Sequence, residues 1–173
     1  SPDPDHFRGN LFTLILDRRE IRMKNTRPFS FYPLCLMHFI LSISALAAGF
    51  SFMVEPDGKG IEIDLSYLNR TPFSNFFLPG LILFLFNGIF PLVILIGLIL
   101  RPSWKGINFL NIYKDKHWAW TYSLYSGIIL ILWITIQSTM TDYFFLQPVC
   151  LGLGTGILIL TLLPGMQKYL SVS

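Results

Sequence analysis

Apolar residues in this chain fall into four long blocks that are separated by shorter polar segments. The blocks cover residues 29–54, 76–100, 118–137 and 143–163, and each contains about 20 residues or more. A helix of that length crosses the roughly 30 Å hydrocarbon core of a lipid bilayer. The pattern therefore predicts an all-α membrane protein, a bundle of four transmembrane helices.

The segments outside the blocks define the rest of the domain organisation. We expect residues 1–28 to form an N-terminal segment in the cytoplasm or at the membrane interface, residues 29–165 the transmembrane domain, and residues 166–173 a cytoplasmic tail. Two interpretations of residues 1–22 stay open. They form an amphipathic segment at the interface, or they precede a natural start of translation at Met23.

The connection between the first two blocks has a pattern of its own. Its first part, EPDGKG at residues 55–60, is rich in turn-forming residues, and IEIDLSYL at residues 61–68 alternates apolar with polar residues over most of its length. Such alternation has the period of a half-buried strand. The sequence thus leaves two alternatives for this connection, a short external loop or a β-hairpin.

Composition supports a membrane protein and narrows its function. Hydrophobic residues make up 53% of the chain and charged residues 13%, whereas about 25% of the residues in a typical soluble domain are charged. All 23 formally charged residues lie outside the four blocks. Ion-coupled transporters usually keep an acid or a base at membrane depth. A transporter or channel is therefore a less favoured alternative.

The distribution of charge predicts the orientation in the membrane. Basic residues concentrate before the first block and between the second and third, whereas the other two connections are mainly acidic; the basic residues are Arg8, Arg18, Arg19, Arg22, Lys24, Arg27, Arg101, Lys105, Lys114 and Lys116. By the positive-inside rule, both termini are cytoplasmic. We expect the lipid bilayer as a partner, together with a membrane protein or a second copy of the chain, and no nucleic acid.

Three polar side chains within the blocks are the candidate ligand-binding or polar interior residues: His38, Asn87 and Gln137. An unpaired amide in hydrocarbon costs several kcal/mol, so each must face protein or water. His38 has two interpretations, a hydrogen bond across a helix contact or a ligand-binding or proton-transferring histidine.

Small residues within the blocks predict close helix packing. Gly152 and Gly156 have the G-x-x-x-G spacing of tightly packed membrane helices. Pro91 lacks an N–H, and its ring clashes with the carbonyl of Asn87 four residues earlier, so a kink is expected there. The complete set of expected helix-packing residues is Gly49, Gly80, Gly88, Pro91, Gly152 and Gly156.

No catalytic, metal or cofactor site is expected. The two cysteines and three histidines lack the spacing of a ligand set. The acidic residues lie outside the blocks while His38 lies inside one, so no Ser-His-acid set can be assembled from sequence.

The stretch EPDGKGIEIDLSYLNRTPFSNFFLPGLILFLFNGIFPL, residues 55–92, resembles a group of small bacterial membrane proteins without an established activity. The matching residues are Pro56, Asp57, Gly58, Pro72, Phe73, Pro79, Gly80, Asn87, Gly88 and Pro91. Residues 133–160, with Gln147 and Pro148, are similar to the last hairpin of these proteins. The resemblance covers about residues 30–165. It implies a four-helix protein of a bacterial cytoplasmic membrane and brings no active site.

These observations favour a non-enzymatic function, either binding of a lipid or small hydrophobic molecule or service as a subunit of a membrane complex. The alternative is a membrane enzyme that acts on a lipid-phase substrate through His38, Asn87 or Gln137. A cavity that holds all three side chains would favour the enzyme. Three separate helix–helix hydrogen bonds would argue against it.

Overall fold

The structure is a computed structural model that describes residues 26–102, 104 and 106–172. The predictions for residues 1–22 lie outside the described residues. Within the described part, the chain is helical, which confirms the predicted all-α class.

Three helices are long and apolar enough to cross a membrane. They are α1, Phe31–Val54; α2, Phe77–Leu100; and α3, Trp118–Met140. Their bounds agree with the first three predicted spans to within three residues at each end. Each of the three therefore forms where the apolar block predicted it.

The fourth apolar block forms a shorter helix. Helix α4 covers Leu146–Leu162, which is 17 residues, and a separate helix α5 follows at Pro164–Tyr169. Leu163 has an extended ψ of 137°. A residue before proline is driven out of the helical region by the proline ring. Pro164 therefore ends α4 and opens α5.

Helices α1 to α4 form an antiparallel ring in which each packs against its neighbour in sequence and α4 packs against α1. Helices α1 and α2 approach each other closely at Gly49, where an added Cβ would lie only 2.8 Å from the Gly80 carbonyl oxygen. A Cβ built on Gly156 of α4 would lie 2.9 Å from Met37 Cε of α1. Helices α1 and α3 consequently face each other across the diagonal.

Helix α2 widens into a π-helical segment at Leu83–Ile89. The Phe90 N–H donates to the Leu85 carbonyl, five residues earlier. Pro91, which is buried, would clash with the carbonyl of residue 87 in a regular α-helix. The wider turn removes that clash, and it occurs at the place where the sequence predicted a kink.

The connection between α1 and α2 is a loop, and the β-hairpin alternative does not form. It contains 3-10 turns at Lys59–Ile61 and Leu65–Leu68, and no strand occurs among the described residues. Gly58 and Glu62 both have positive φ, 82° and 55°. Glu62 lies within the alternating stretch, and its left-handed conformation is outside the β region, so this stretch is not a continuous strand.

The two ends of the bundle differ in charge. The basic end carries Arg27, Arg101, Lys114, Lys116 and Lys168. The acidic end carries Glu55, Asp57, Glu62, Asp64 and Asp142.

The C-terminal residues, expected as a tail, fold back onto the basic end. The His117 N–H donates to the Leu170 carbonyl at 2.7 Å, and the Val172 N–H donates to the Asp115 carbonyl at 2.8 Å. Met166 and Leu170 are buried in the core. The C-terminal segment thus closes the basic end of the bundle.

Helix α4 packs closely against its neighbours at Gly154 and Gly156, and not at Gly152. A Cβ on Gly154 would lie 2.9 Å from Ile131 Cγ1 and 3.2 Å from the Gly127 carbonyl oxygen of α3. A Cβ on Gly152 would meet no atom of the described residues within 4 Å. The close contact expected at Gly152 is therefore not made, whereas Gly156, the other glycine of the predicted pair, does approach Met37 of α1.

We expect Gly154→Leu to destabilise the bundle by roughly 1–3 kcal/mol, the usual cost of overpacking a core. Gly152→Leu is the matched control and should leave stability nearly unchanged, since its Cβ enters open space. The measurement is the midpoint of thermal unfolding of both variants in one detergent. Equal midpoints for the two variants would contradict the assigned contact between α3 and α4.

The first turn of α3 supplies a pH-dependent contribution to stability. His117 Nδ1 accepts the Ala119 N–H at 3.3 Å, and His117 Nε2 lies 3.2 Å from the Pro102 carbonyl oxygen. Burial lowers the pKa of His117 below its ordinary 6.5, and the nearby charge of Arg101 acts in the same direction. The neutral ring is the form that caps α3.

Stability should therefore fall as the pH drops from about 7.5 to about 5, a range in which an unperturbed histidine takes up a proton. The unfolded chain binds that proton first, so the stability present above pH 6.5 is lost as the pH falls through the lowered pKa. His117→Asn keeps a capping side chain that does not titrate and should reduce the pH dependence of the unfolding midpoint. An unchanged pH dependence in this variant would show that His117 is not its source.

Candidate ligand-binding site

His38 lies at the centre of the bundle, where its side chain connects the diagonally opposed helices α1 and α3. It belongs to α1, is 0% exposed, and its Nε2 lies 2.8 Å from Ser123 Oγ of α3. Of the two interpretations given by sequence, the helix-to-helix hydrogen bond is present. The ring's other nitrogen, Nδ1, is buried and has no hydrogen-bond partner among the described residues.

The hydrogen bond continues from α3 into α4. Ser123 Oγ lies 2.8 Å from Thr161 Oγ1, and Thr161 Oγ1 donates to the Ile157 carbonyl at 2.7 Å. A hydroxyl has one proton to donate. For all three contacts to be hydrogen bonds at once, Thr161 donates to the Ile157 carbonyl and Ser123 donates to Thr161.

This order of donors determines the tautomer of His38. Because the proton of Ser123 is used on Thr161, Ser123 can only accept from His38, so the proton of the neutral ring is on Nε2. His38 Nδ1 is consequently a hydrogen-bond acceptor. It is a buried acceptor without a donor.

Helix α2 joins the same centre through its π-helical segment. Ser42, one turn after His38 on α1, donates from Oγ to the Gly88 carbonyl at 2.9 Å. A neighbouring side chain thereby satisfies a carbonyl in the irregular part of α2. Asn87 precedes Gly88, is 1% exposed, and its Nδ2 donor has no partner among the described residues.

Ser126 of α3 adds a third buried group without a partner. Its Oγ is unpaired among the described residues, and the residue is 1% exposed. It lies about 4.5 Å beyond Ser123 along α3, and Ser42 lies about 6 Å beyond His38 along α1. Since α1 and α3 run in the same direction, the unpaired groups occupy a layer about one helical turn deep. We call His38, Ser42, Asn87, Ser123, Ser126 and Thr161 the polar centre.

Gln137 does not belong to the polar centre. It lies 14 residues after Ser123 on α3, which is about 21 Å along a helix axis. Its side chain is only half-buried. The three polar residues singled out by sequence are therefore not brought together, and a site that uses all three is wrong.

The chemistry that the polar centre can perform follows from its groups. It offers an acceptor at His38 Nδ1, a donor at Asn87 Nδ2, and a hydroxyl at Ser126 that can do either. No group of three His, Cys, Asp or Glu residues that could hold a metal ion occurs in the described part of the chain. These are complementary hydrogen-bonding groups carried by α1, α2 and α3.

Comparison of the chain with protein-family models, curated proteins and solved structures found no match. The resemblance to small bacterial membrane proteins therefore carries no argument about function here.

Sequence reasoning missed four members of the polar centre, which are Ser123, Ser126, Thr161 and Ser42. A signal for the first two was present, because serines three residues apart in an apolar helix lie on one side of it. Thr161 gave no such signal, since a lone threonine can satisfy itself by bonding to the carbonyl four residues earlier, as it does here.

We expect Ser123→Ala to destabilise the protein by roughly 1–3 kcal/mol, because it leaves the His38 Nε2–H buried without an acceptor. Ser138→Ala is the matched control on the same helix, since Ser138 is exposed and bonds only to the Ile134 carbonyl of its own helix. The thermal unfolding midpoints of both variants in detergent test this. A loss no larger in Ser123→Ala than in Ser138→Ala would contradict the cross-bundle hydrogen bond.

Proposed function

We propose that the protein is a four-span membrane protein that binds an uncharged lipid-soluble molecule at its polar centre without chemically changing it. In this proposal α1 to α4 cross the bilayer, and the basic end faces the cytoplasm, as the positive-inside rule favours. Both termini then lie on the cytoplasmic side. A bacterial cytoplasmic membrane is the location that the sequence resemblance implies.

The observation that carries the proposal is the unpaired set of buried polar atoms. Each of His38 Nδ1, Asn87 Nδ2 and Ser126 Oγ costs roughly 1–3 kcal/mol when it stays buried without a partner. A molecule that donates to His38 and accepts from Asn87 would relieve both costs. A lipid-soluble alcohol that also carries a carbonyl has this combination.

Membrane crossing by α4 is part of the proposal. At 17 residues it is about 25 Å long, which is shorter than the roughly 30 Å hydrocarbon core. Tyr143 and Phe145 before it are exposed aromatic residues, and α5 follows it with the buried Met166. These flanking residues extend the apolar height of the fourth segment.

Enzymatic use of the polar centre has less support. The histidine that would serve as a base is 0% exposed and its Nε2 proton is engaged by Ser123. No carboxylate occurs within α1 to α4. Binding requires only hydrogen bonds from the groups that are unpaired.

The test is native mass spectrometry of the protein released gently from its own host membrane. Wild type should carry a small adduct of one defined mass, and Asn87→Leu should lose it because the donor is gone. Gln137→Leu is the matched control, since that amide lies about 21 Å away along the helix, and it should keep the adduct. Without the adduct, Asn87→Leu should unfold at the same temperature as wild type or higher, since it removes an unpaired buried donor.

An adduct-free wild type would overturn the proposal, because water alone would then serve the unpaired groups. Release together with another polypeptide in place of a small adduct would also overturn it and favour a subunit of a membrane complex. Loss of the adduct in Gln137→Leu as well would show that binding does not depend on the polar centre.

A further inference from the structure

Two arginines and two aromatic rings form a ladder at the basic end. Arg27 Cζ lies 4.9 Å from the centroid of the Phe31 ring. The Phe31 ring packs edge-on against the Tyr169 ring at 5.6 Å. Arg101 Cζ lies 3.4 Å from the centroid of Tyr169. Two guanidinium groups, one just before α1 and one at the end of α2, thus flank a pair of rings that pack edge-on.

Neither arginine pairs with a carboxylate of the described residues. The ion pairs in that part of the chain are Lys59–Asp57, Arg70–Asp142 and Lys116–Asp115. Arg101 Nη2 donates to the Tyr169 carbonyl at 3.0 Å, but its buried Nε has no acceptor. Burial, and in addition the charge of Arg27, lower the pKa of Arg101. A bound anion would offset both the unused donor and the repulsion between like charges.

The backbone at Arg101 is held in an uncommon conformation. Its φ of 48° and ψ of 47° are left-handed, a region that a residue with a side chain adopts only at a cost. Helices commonly place glycine at such a position. The strained backbone is retained here with an arginine whose guanidinium lies on Tyr169. Strain of this kind is often found at binding sites.

Exposed apolar residues adjoin both arginines. Phe29 is 89% exposed and Leu100 is 71% exposed. They lie two residues after Arg27 and one residue before Arg101, at the ends of helices that are long enough to cross a membrane. An anion bound by the arginines would therefore have apolar surface beside it on the side of the hydrocarbon. This combination matches a phospholipid better than a free phosphate ion.

We propose that Arg101, assisted by the positive charge of Arg27, binds the phosphate group of an anionic phospholipid from the leaflet at the basic end. The acyl chains lie along Phe29 and Leu100. Basic pockets at the cytoplasmic ends of membrane helices recognise lipid headgroups in this way. The site rests on the proposed membrane crossing of α1 and α2, and it is independent of the molecule bound at the polar centre.

The test measures lipid binding to the delipidated protein in detergent by native mass spectrometry, with phosphatidylglycerol, phosphatidylcholine and inorganic phosphate as separate probes. Wild type should prefer phosphatidylglycerol over phosphatidylcholine. Arg27→Gln and Arg101→Gln should each weaken phosphatidylglycerol binding about fivefold, the effect of one basic group near a charged membrane surface. Arg70→Gln, at the acidic end, is the matched control and should bind as wild type does.

Equal binding of the two lipids by wild type, or the same loss in Arg70→Gln, would overturn the site. Inorganic phosphate that displaces phosphatidylglycerol completely would overturn the assignment to a lipid. If Arg101→Gln fails to fold, Arg27→Gln decides the question, because Arg27 is exposed and its one described contact is with Phe31. The adduct at the polar centre should persist in Arg27→Gln, so failure of this site and failure of the proposed function give different results.

Discussion

The hydrogen bonds that run from His38 across the diagonal to Ile157 are the constraint on which the rest of the bundle depends. They join α1, α3 and α4 and thereby set the rotation of each helix about its own axis. In a water-free interior a polar group that leaves its partner finds no replacement. The same bonds place the only proton of the neutral imidazole on Nε2. The unpaired acceptor at Nδ1 follows directly from the way in which the helices are held together.

Helix α2 is joined to the other helices by the hydrogen bond from Ser42 to the Gly88 carbonyl. Its π-helical segment avoids the clash of Pro91 with the carbonyl of residue 87 and leaves the Gly88 carbonyl within reach of Ser42. Asn87 is thereby buried inside the ring of helices, and its Nδ2 donor has no acceptor among the described residues. The hydrogen bonds that join α1, α3 and α4 leave an acceptor unpaired at His38 Nδ1. The π-helical segment of α2 leaves a donor unpaired at Asn87 Nδ2, both among the described residues. π-Helical segments like the one in α2 occur frequently at functional sites.

Length and apolarity were sufficient to predict α1, α2 and α3, because a block of 20 or more apolar residues has few alternatives to a helix. The side of a helix that meets a neighbour is decided by packing, so the sequence identified the contact at Gly156 but also predicted one at Gly152 that does not form. Gln137 was grouped with His38 because both are polar, although position along the helix separates them. The C-terminal segment packs onto the basic end through backbone hydrogen bonds. Any residue type can form these bonds, so the sequence does not reveal them.

The protonation state of His38 is the most direct test of this account. Solid-state nitrogen NMR of the histidine-labelled protein in lipid bilayers distinguishes a protonated from an unprotonated ring nitrogen, and His38→Phe assigns the signals. The account predicts a protonated Nε2 and an unprotonated Nδ1 whose signal shifts in Asn87→Leu as the bound molecule is lost. A proton on Nδ1 with a bare Nε2, or a doubly protonated ring, would contradict the order of donors from His38 to Ile157 and, with it, the site.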